Sequence, residues 1–239
     1  MQVLPVLNIR FVFFSAVLFF LHACSHDTDK PAGGNDIWDL NLKAPPHFIS
    51  QNYIEIDKIA RISRFRSGVG HDYSDFTEHC RSMKHYFEPL PGVDWTKVKI
   101  YSPVTGIITR MEQEWSGTKI EIASAEYPAF RFSIFHIVPA SSWTINQAIT
   151  EGTLLGTHVG TQTYSDISVI VNDITKQGRM VSWFDVITDG LFAEYQAAGI
   201  GTRESMIIQK QERDLHPLTC NGDTFIGVDS LDAWVNLIH

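Results

Sequence analysis

Alternating apolar and polar residues in the middle of the chain constrain its fold more than any other feature. The runs "GTKIEIAS" (117–124) and "FRFSIFHIV" (130–138) place apolar side chains at every second position over much of their length. Successive side chains of a strand point to opposite faces, so this pattern predicts strands with one buried face. The runs "VKIYSPVTGIITRMEQEW" and "TYSDISVIVNDI" add further strand-like segments. The sequence therefore predicts a mainly β fold with an antiparallel sheet or sandwich.

The periodicity changes after this region. "VSWFDVITDGLFAEYQAAG" (181–199) has large apolar residues at helical spacing and ends on Gly199. Glycine is favoured directly after a helix, so we predict a helix over 181–198. The chain is thereby divided into four segments. They are a signal peptide (1–23), an anchor tether with an N-terminal extension (24–55), a β domain (56–175) and a C-terminal helix-and-loop extension (176–239).

The first 24 residues have the pattern of an export signal. Arg10 is their only charged residue and precedes the apolar run "FVFFSAVLFFLHA". That run is shorter than the roughly 20 residues that a membrane-spanning helix needs. The following Leu21-His22-Ala23-Cys24 resembles a bacterial lipobox, in which Cys24 carries the lipid. Ordinary cleavage nearby, with Cys24 an incidental thiol, is the alternative. We expect an exported protein of the cell envelope, lipid-anchored through Cys24, with the periplasm-facing outer membrane as one destination.

The cysteine count fits this expectation. The chain has three cysteines, Cys24, Cys80 and Cys220, and an odd number in an exported protein requires an explanation. Lipidation of Cys24 leaves Cys80 and Cys220 to pair in an oxidising compartment. Such a bridge closes a loop of well over a hundred residues and stabilises by up to about 4–5 kcal/mol in the chain-entropy description. We therefore predict a Cys80–Cys220 disulfide.

The charge of the chain excludes one class of partner. The formal net charge is -8, and Lys and Arg do not cluster. Nucleic-acid binding depends on clustered Lys and Arg against phosphates. We expect no nucleic-acid partner.

Four polar residues attract attention within the β region. His71 and Asp75 stand four residues apart in "GVGHDYSDFTEHC", His136 follows three apolar residues of the same strand face, and Asp166 lies in "TYSDISVIVNDI". Taken alone, His71 and Asp75 fit a hydrogen-bonded turn, because Asp readily accepts from nearby backbone N–H groups. His136 then fits a buried core histidine, and Asp166 a turn cap.

Four motifs in order give these residues a second interpretation. "SPVTGIITRM", "GTKIEIA", "FRFSIFHI" and "EGTLLGTHVGT" resemble the core of the lysostaphin-type zinc endopeptidases, a family of bacterial cell-wall hydrolases. The resemblance extends over roughly residues 68–171. It implies the antiparallel β fold of that family (the duplicated hybrid motif), a zinc ion, and peptidoglycan or its peptide stems as partner.

The resemblance also implies roles for the four polar residues. His71 and Asp75 match the H-x-x-x-D zinc motif, and His136 matches the catalytic histidine. The later H-x-H is absent from "TQTYSDISVIV", so the third ligand becomes Asp166 in one register and Ser168 in another. Imidazole nitrogen and carboxylate oxygen suit zinc, and an open fourth position lets metal-bound water act as nucleophile.

The segment "EHCRSMKHYFEP" (78–89) is crowded with polar residues. Arg81, Lys84 and His85 are predicted to form a substrate-binding rim, because Arg suits bidentate contact with the carboxylate of a peptide or glycan. The alternative is a solvated loop held by Cys80.

Three functions remain open from the sequence. The chain is a zinc metalloendopeptidase that cleaves murein cross-links, or an inactive lipoprotein that binds murein or regulates a hydrolase, or a purely structural envelope lipoprotein. The incomplete zinc-ligand set favours a domain without hydrolytic activity.

Overall fold

The computed structural model describes residues 1–2, 37–175 and 177–239. Apart from its first two residues, the predicted signal peptide lies outside the described residues, and so does Cys24. Residues Asn35–His239 form a compact unit, which carries all the features below. None of the helices in the described ranges combines the length and apolar character needed to cross a membrane.

The described chain is mainly β, which confirms the predicted fold class. Its two α-helices are α1 (Asp189–Ala197) and α2 (Lys210–Leu215). Its strands are β1 (Ile59–Ser63), β2 (His85–Pro89), β3 (Lys99–Tyr101), β4 (Gly106–Glu114), β5 (Gly117–Ser124), β6 (Phe130–Pro139), β7 (Ala148–Ile149), β8 (Leu154–His158), β9 (Ser165–Asn172), β10 (Gly178–Val181), β11 (Thr219–Asn221), β12 (Thr224–Ile226) and β13 (Trp234–Asn236).

One large antiparallel sheet contains most of these strands. Its order is β13-β1-β2-β9-β6-β5-β4-β7, with β10 added on β9 and with β8 joining β6 to β3. The remaining strands, β11 and β12, form a separate hairpin. The central neighbours β2, β9 and β6 matter most for function, because polar side chains meet where these three strands adjoin.

The two faces of the central strands differ sharply. On one face Ile122, Phe132 and Val169 lie in register across β5, β6 and β9, and all three are buried. Each such side chain contributes about 1.5–3 kcal/mol through burial. On the opposite face Ser133 and Ser168 lie in register and are also buried. A polar layer is therefore covered by further side chains, and the candidate site lies there.

The helix predicted over 181–198 is shorter in the structure. A 3-10 turn occupies Trp183–Asp185, and α1 begins only at Asp189. Ser182 and Thr188 each have an extended backbone and accept a backbone N–H with the side-chain oxygen, which starts a new turn at each residue. Gly199, at φ +96°, follows the end of α1.

The segments on both sides of residues 56–175 contribute to the same core. β13 pairs with β1 and places Val235 opposite Ile62. Ile49, from the N-terminal side, is buried and forms a parallel bridge with Ile187. The predicted Cys80–Cys220 disulfide is present and connects the β11–β12 hairpin to the polar segment before β2.

Candidate functional site

A cavity of about 600 Å³, here called cavity 1, opens beside the polar layer of the sheet. Its floor is formed by His71, Tyr73, Lys84, His136 and Asp166. His71, Tyr73 and Lys84 come from the segment before β2, and His136 and Asp166 come from the neighbouring strands β6 and β9. Three of the four residues predicted for the site, His71, His136 and Asp166, are thus brought to one cavity.

The pairing of β2 with β9 brings Lys84 and Asp166 together. Tyr86 on β2 lies opposite Asp166 on β9, and Lys84 lies in the bend directly before β2. The Lys84 Nζ lies 2.7 Å from Asp166 Oδ2. Both side chains are almost completely buried, at 2% and 0% exposure. The two opposite charges therefore form an ion pair inside the protein.

The pKa of Asp166 reflects this pairing. Burial would raise the pKa of the carboxyl, but the positive charges of Lys84 and His136 outweigh that effect and hold it below its ordinary value. Asp166 is therefore ionised at neutral pH. A buried carboxylate without cationic partners is strongly destabilising, so the partners around Asp166 are a structural requirement.

His136 reaches the cavity because β6 is irregular. Its backbone has φ 62°, in the left-handed region that residues other than glycine rarely adopt. β6 pairs with β9 up to Ile134 and with β8 from Ile137, so His136 lies at the change of partner. Phe135 and His136 both line cavity 1, although consecutive residues of a regular strand face opposite sides. The irregularity therefore directs His136 away from the core face that alternation predicts.

Both ring nitrogens of His136 have partners. Nε2 lies 3.0 Å from Asp166 Oδ1, and Nδ1 lies 2.7 Å from Ser116 Oγ and 3.1 Å from the Ser116 carbonyl oxygen. Burial lowers the pKa of His136, but the interaction with Asp166 more than compensates and raises it above the ordinary value. Asp166 therefore faces the Lys84 ammonium and the His136 imidazole, whose protonated form it stabilises.

His71 and Asp75, predicted as one zinc motif, separate in the structure. His71 lines cavity 1, with Nε2 at 3.5 Å from Lys84 Nζ. Asp75 does not line it, and both of its oxygens are used elsewhere. Oδ1 accepts from the N–H and hydroxyl of Thr77, and Oδ2 accepts from the N–H of Met180. Asp75 therefore has the hydrogen-bonded turn role that its residue type alone predicts.

The three residues of the predicted substrate-binding rim also separate. Lys84 is at the cavity floor, as described. Arg81 pairs with Glu78 and Asp214, outside the cavity. His85, the first residue of β2, does not line the cavity and is buried, with Nδ1 donating to Ser63 O and Nε2 accepting from Ser182 Oγ. Only Lys84 is placed to influence a ligand in cavity 1.

The buried position of His85 predicts a specific acid sensitivity. Burial lowers the pKa of His85 to about 4, so the unfolded chain binds a proton there that the folded chain does not. The free energy of unfolding is therefore unaffected by His85 above the unfolded pKa of about 6.5. It decreases as the pH falls from there towards 4, by about 3 kcal/mol in total. We expect His85→Gln to remove that part of the pH dependence in denaturant unfolding measured between pH 7 and pH 4. His79→Gln, at a side chain that is 84% exposed, should retain it. Equal slopes for the two variants would contradict this assignment.

His158 is a further buried histidine that the sequence did not single out. Its ring lies 6.2 Å from that of His136 and 4.4 Å from that of Trp95. Burial lowers the pKa of His158 to about 4, so the ring is neutral at physiological pH. A neutral imidazole behind His136 adds no further positive charge to the site. Its position at the end of β8, inside the quoted motif "GTHVGT", was the available signal.

A second cavity, cavity 2, of about 570 Å³ adjoins the first. Gln162, Thr163 and Tyr164, just before β9, line both cavities. Trp115, in the tight turn between β4 and β5, stands at the rim of cavity 1 with 83% of its surface exposed. Each cavity has the size of an ordinary small-molecule site. The two adjoining cavities are together called the groove.

The residues present do not fit the zinc ion that the resemblance implies. Asp75 is not at the cavity, and the ammonium of Lys84 already occupies the space next to Asp166. Within the ranges that the structure describes, no three His, Cys, Asp or Glu side chains are grouped closely enough to hold a metal ion. A catalytic zinc site needs three protein ligands and an open position. We therefore assign no chemistry to a metal here.

The chain resembles several solved structures at low identity. It is similar to the SpoIIQ–SpoIIIAH pore-forming complex (8% identity, TM-score 0.43, covering 64% of this chain and 98% of that one). It is also similar to lysostaphin (10%, 0.35, covering 56% and 51%) and to the M23 metalloprotease pseudoalterin (17%, 0.35, covering 59% and 74%). The chain thus spans about half the length of lysostaphin. No protein-family model and no curated protein matches it. Similarities of this size assign no function to the chain.

Proposed function

We propose that this chain is an exported, lipid-anchored envelope protein that binds the peptide stems of murein without cleaving them. The export pattern around Arg10 and the lipobox-like Leu21–Cys24 support the location. The four motifs that resemble cell-wall endopeptidases support the choice of ligand. A role in regulating a separate hydrolase is compatible with the same binding surface.

The observation that carries the proposal is the buried Lys84–Asp166 ion pair at the floor of cavity 1. Hydrolysis of a peptide bond by a zinc enzyme needs a metal-bound water at an open position. The Lys84 ammonium fills that space and neutralises Asp166 from 2.7 Å. The groove above the pair remains open, so recognition is retained where hydrolysis is not.

The shape and lining of the groove support an extended peptide ligand. Two cavities in series give room for several residues, and Gln162 and Thr163 offer hydrogen-bonding groups in the wall that both cavities share. Trp115 offers a large exposed ring at the rim, and aromatic rings of this kind often carry much of the binding energy of an interface.

Binding to intact sacculi tests the proposal directly. We expect the protein to sediment with purified sacculi and to release no soluble muropeptides, with or without added Zn²⁺. Trp115→Ala should weaken binding by about tenfold, which corresponds to a loss of about 1.4 kcal/mol. Phe76→Ala is the matched control, because Phe76 is 50% exposed and lines neither cavity.

Two other outcomes identify the competing functions. Release of muropeptides that depends on His136 would show a murein hydrolase. Absence of binding to sacculi would leave a structural lipoprotein or a different ligand. Equal binding by Trp115→Ala and wild type would place the murein contact away from the rim of cavity 1.

A further inference from the structure

Lys84 has surroundings that are built for a cation. Its Nζ lies 2.7 Å from a carboxylate oxygen of Asp166. The centroids of two aromatic rings, Phe135 and Tyr73, lie 3.7 and 4.1 Å from the same nitrogen, with Tyr86 at 5.6 Å. The faces of such rings attract positive charge, and more strongly away from water. One anion and three rings therefore converge on a single buried ammonium group.

Nitrogen and oxygen donors stand around the same position. His71 Nε2 is 3.5 Å from Lys84 Nζ. The second oxygen of Asp166 is 3.0 Å from His136 Nε2. Imidazole nitrogen and carboxylate oxygen are donor types that suit Zn²⁺. In this chain His71 and Asp166 stand beside a side-chain cation instead, and the covalent attachment of Lys84 to the backbone keeps that cation in place.

We propose that the Lys84 ammonium is a built-in replacement for a metal ion, and that an imidazole at this position converts the floor of cavity 1 into a Zn²⁺ site completed by His71 and Asp166. A His side chain is shorter than Lys, so its substitution leaves space beside Asp166 for an ion. In the native chain, the structure of the cavity floor then does not depend on whether metal ions are available. This inference concerns the cation at the floor and does not depend on which ligand the groove binds.

Metal binding by the full chain tests the inference. After equilibrium dialysis against Zn²⁺, metal analysis should find no bound zinc in wild type and one ion per chain in Lys84→His. Co²⁺ in the same variant should give the intense visible absorption of a four-coordinate site. Zn²⁺ should raise the Tm of Lys84→His and leave the wild-type Tm unchanged. Asp166→Asn, added to Lys84→His, should abolish zinc binding.

Lys119→His is the matched control. Lys119 lines the same cavity and is largely buried, but its Nζ pairs with Glu112 rather than with Asp166. We expect it to gain no zinc site. Lys84→Cys gives a second test that needs no ring to be accommodated, because a thiolate at this position is the third ligand beside His71 and Asp166, and Zn²⁺ should raise its Tm.

The inference is overturned by stoichiometric zinc in wild type, by folded Lys84→His that binds no zinc, or by a Lys84→Cys Tm that Zn²⁺ does not raise. Sacculus binding is measured separately, so failure here leaves the binding proposal standing.

Discussion

Lys84→Met is expected to lower the free energy of unfolding by about 3–5 kcal/mol, because it removes one partner of a buried ion pair. Asp166 has no exposed surface, so its charge cannot be solvated in place of the lost ammonium. His136 remains beside the carboxylate, but its position is fixed by the contact between its Nδ1 and Ser116 Oγ. Urea unfolding at pH 7, analysed at constant slope, measures the loss.

Two variants separate charge burial from lost packing. Lys119→Met removes a cavity-lining lysine that pairs with the partly exposed Glu112, and it should cost less than about 1 kcal/mol. The double variant Lys84→Met/Asp166→Leu removes both charges and should recover most of the stability, since apolar replacement of a whole buried pair is often nearly neutral. A Lys84→Met protein as stable as wild type would show that Asp166 has become protonated or hydrated.

Loss of the Cys80–Cys220 disulfide is the second large effect. The two cysteines are separated by 140 residues, and the bridge therefore restricts the unfolded chain over most of the described domain. We expect Cys220→Ser to lower the free energy of unfolding by about 3–5 kcal/mol. Guanidinium unfolding with and without dithiothreitol measures this value.

The reductant serves as the control for the disulfide. Dithiothreitol should lower the free energy of unfolding of wild type to that of Cys220→Ser and should leave that of the variant unchanged. The native fold should survive, because two other hydrogen bonds connect the same tail to the domain: Arg213 Nε donates to the Arg66 carbonyl and Asp229 Oδ2 accepts from the Gly68 N–H, each at 2.8 Å. Unfolding of the β11–β12 region at pH 7 in Cys220→Ser would show that the bridge is needed in the native state as well.

Local patterns predicted the strands better than the site. The alternation around Ile120 and Phe132 is a property of each strand by itself, and the structure shows these residues buried on one face. Lys84 and His85 separate because β2 begins between them, with Lys84 in a bend and His85 in the strand. The predicted rim treated both as one polar segment, and the start of β2 must be known before they can be told apart.

The remaining differences arise from contacts between distant segments. His136 follows the alternation of Phe130 and Phe132, and only the change of partner from β9 to β8 directs it to the cavity. Asp75 accepts from Met180, a pairing that no short motif reveals. The family motif, by contrast, predicted a convergence of His71, His136 and Asp166, and Lys84 is the member whose central position it did not indicate.

The pairing of β13 with β1 has a consequence for how this protein is made. On one side, β1 (residues 59–63) pairs with β13 (residues 234–236), which lies far later in the chain. A chain that emerges from a ribosome or a translocation pore with its N-terminus first exposes the early segment long before the late one. Contacts between such distant segments form slowly, and an unpaired strand border is prone to association in the meantime. The sheet is therefore completed only after residues 234–236 have emerged, and a chaperone that shields residues 59–63 during this interval should increase the yield of folded protein.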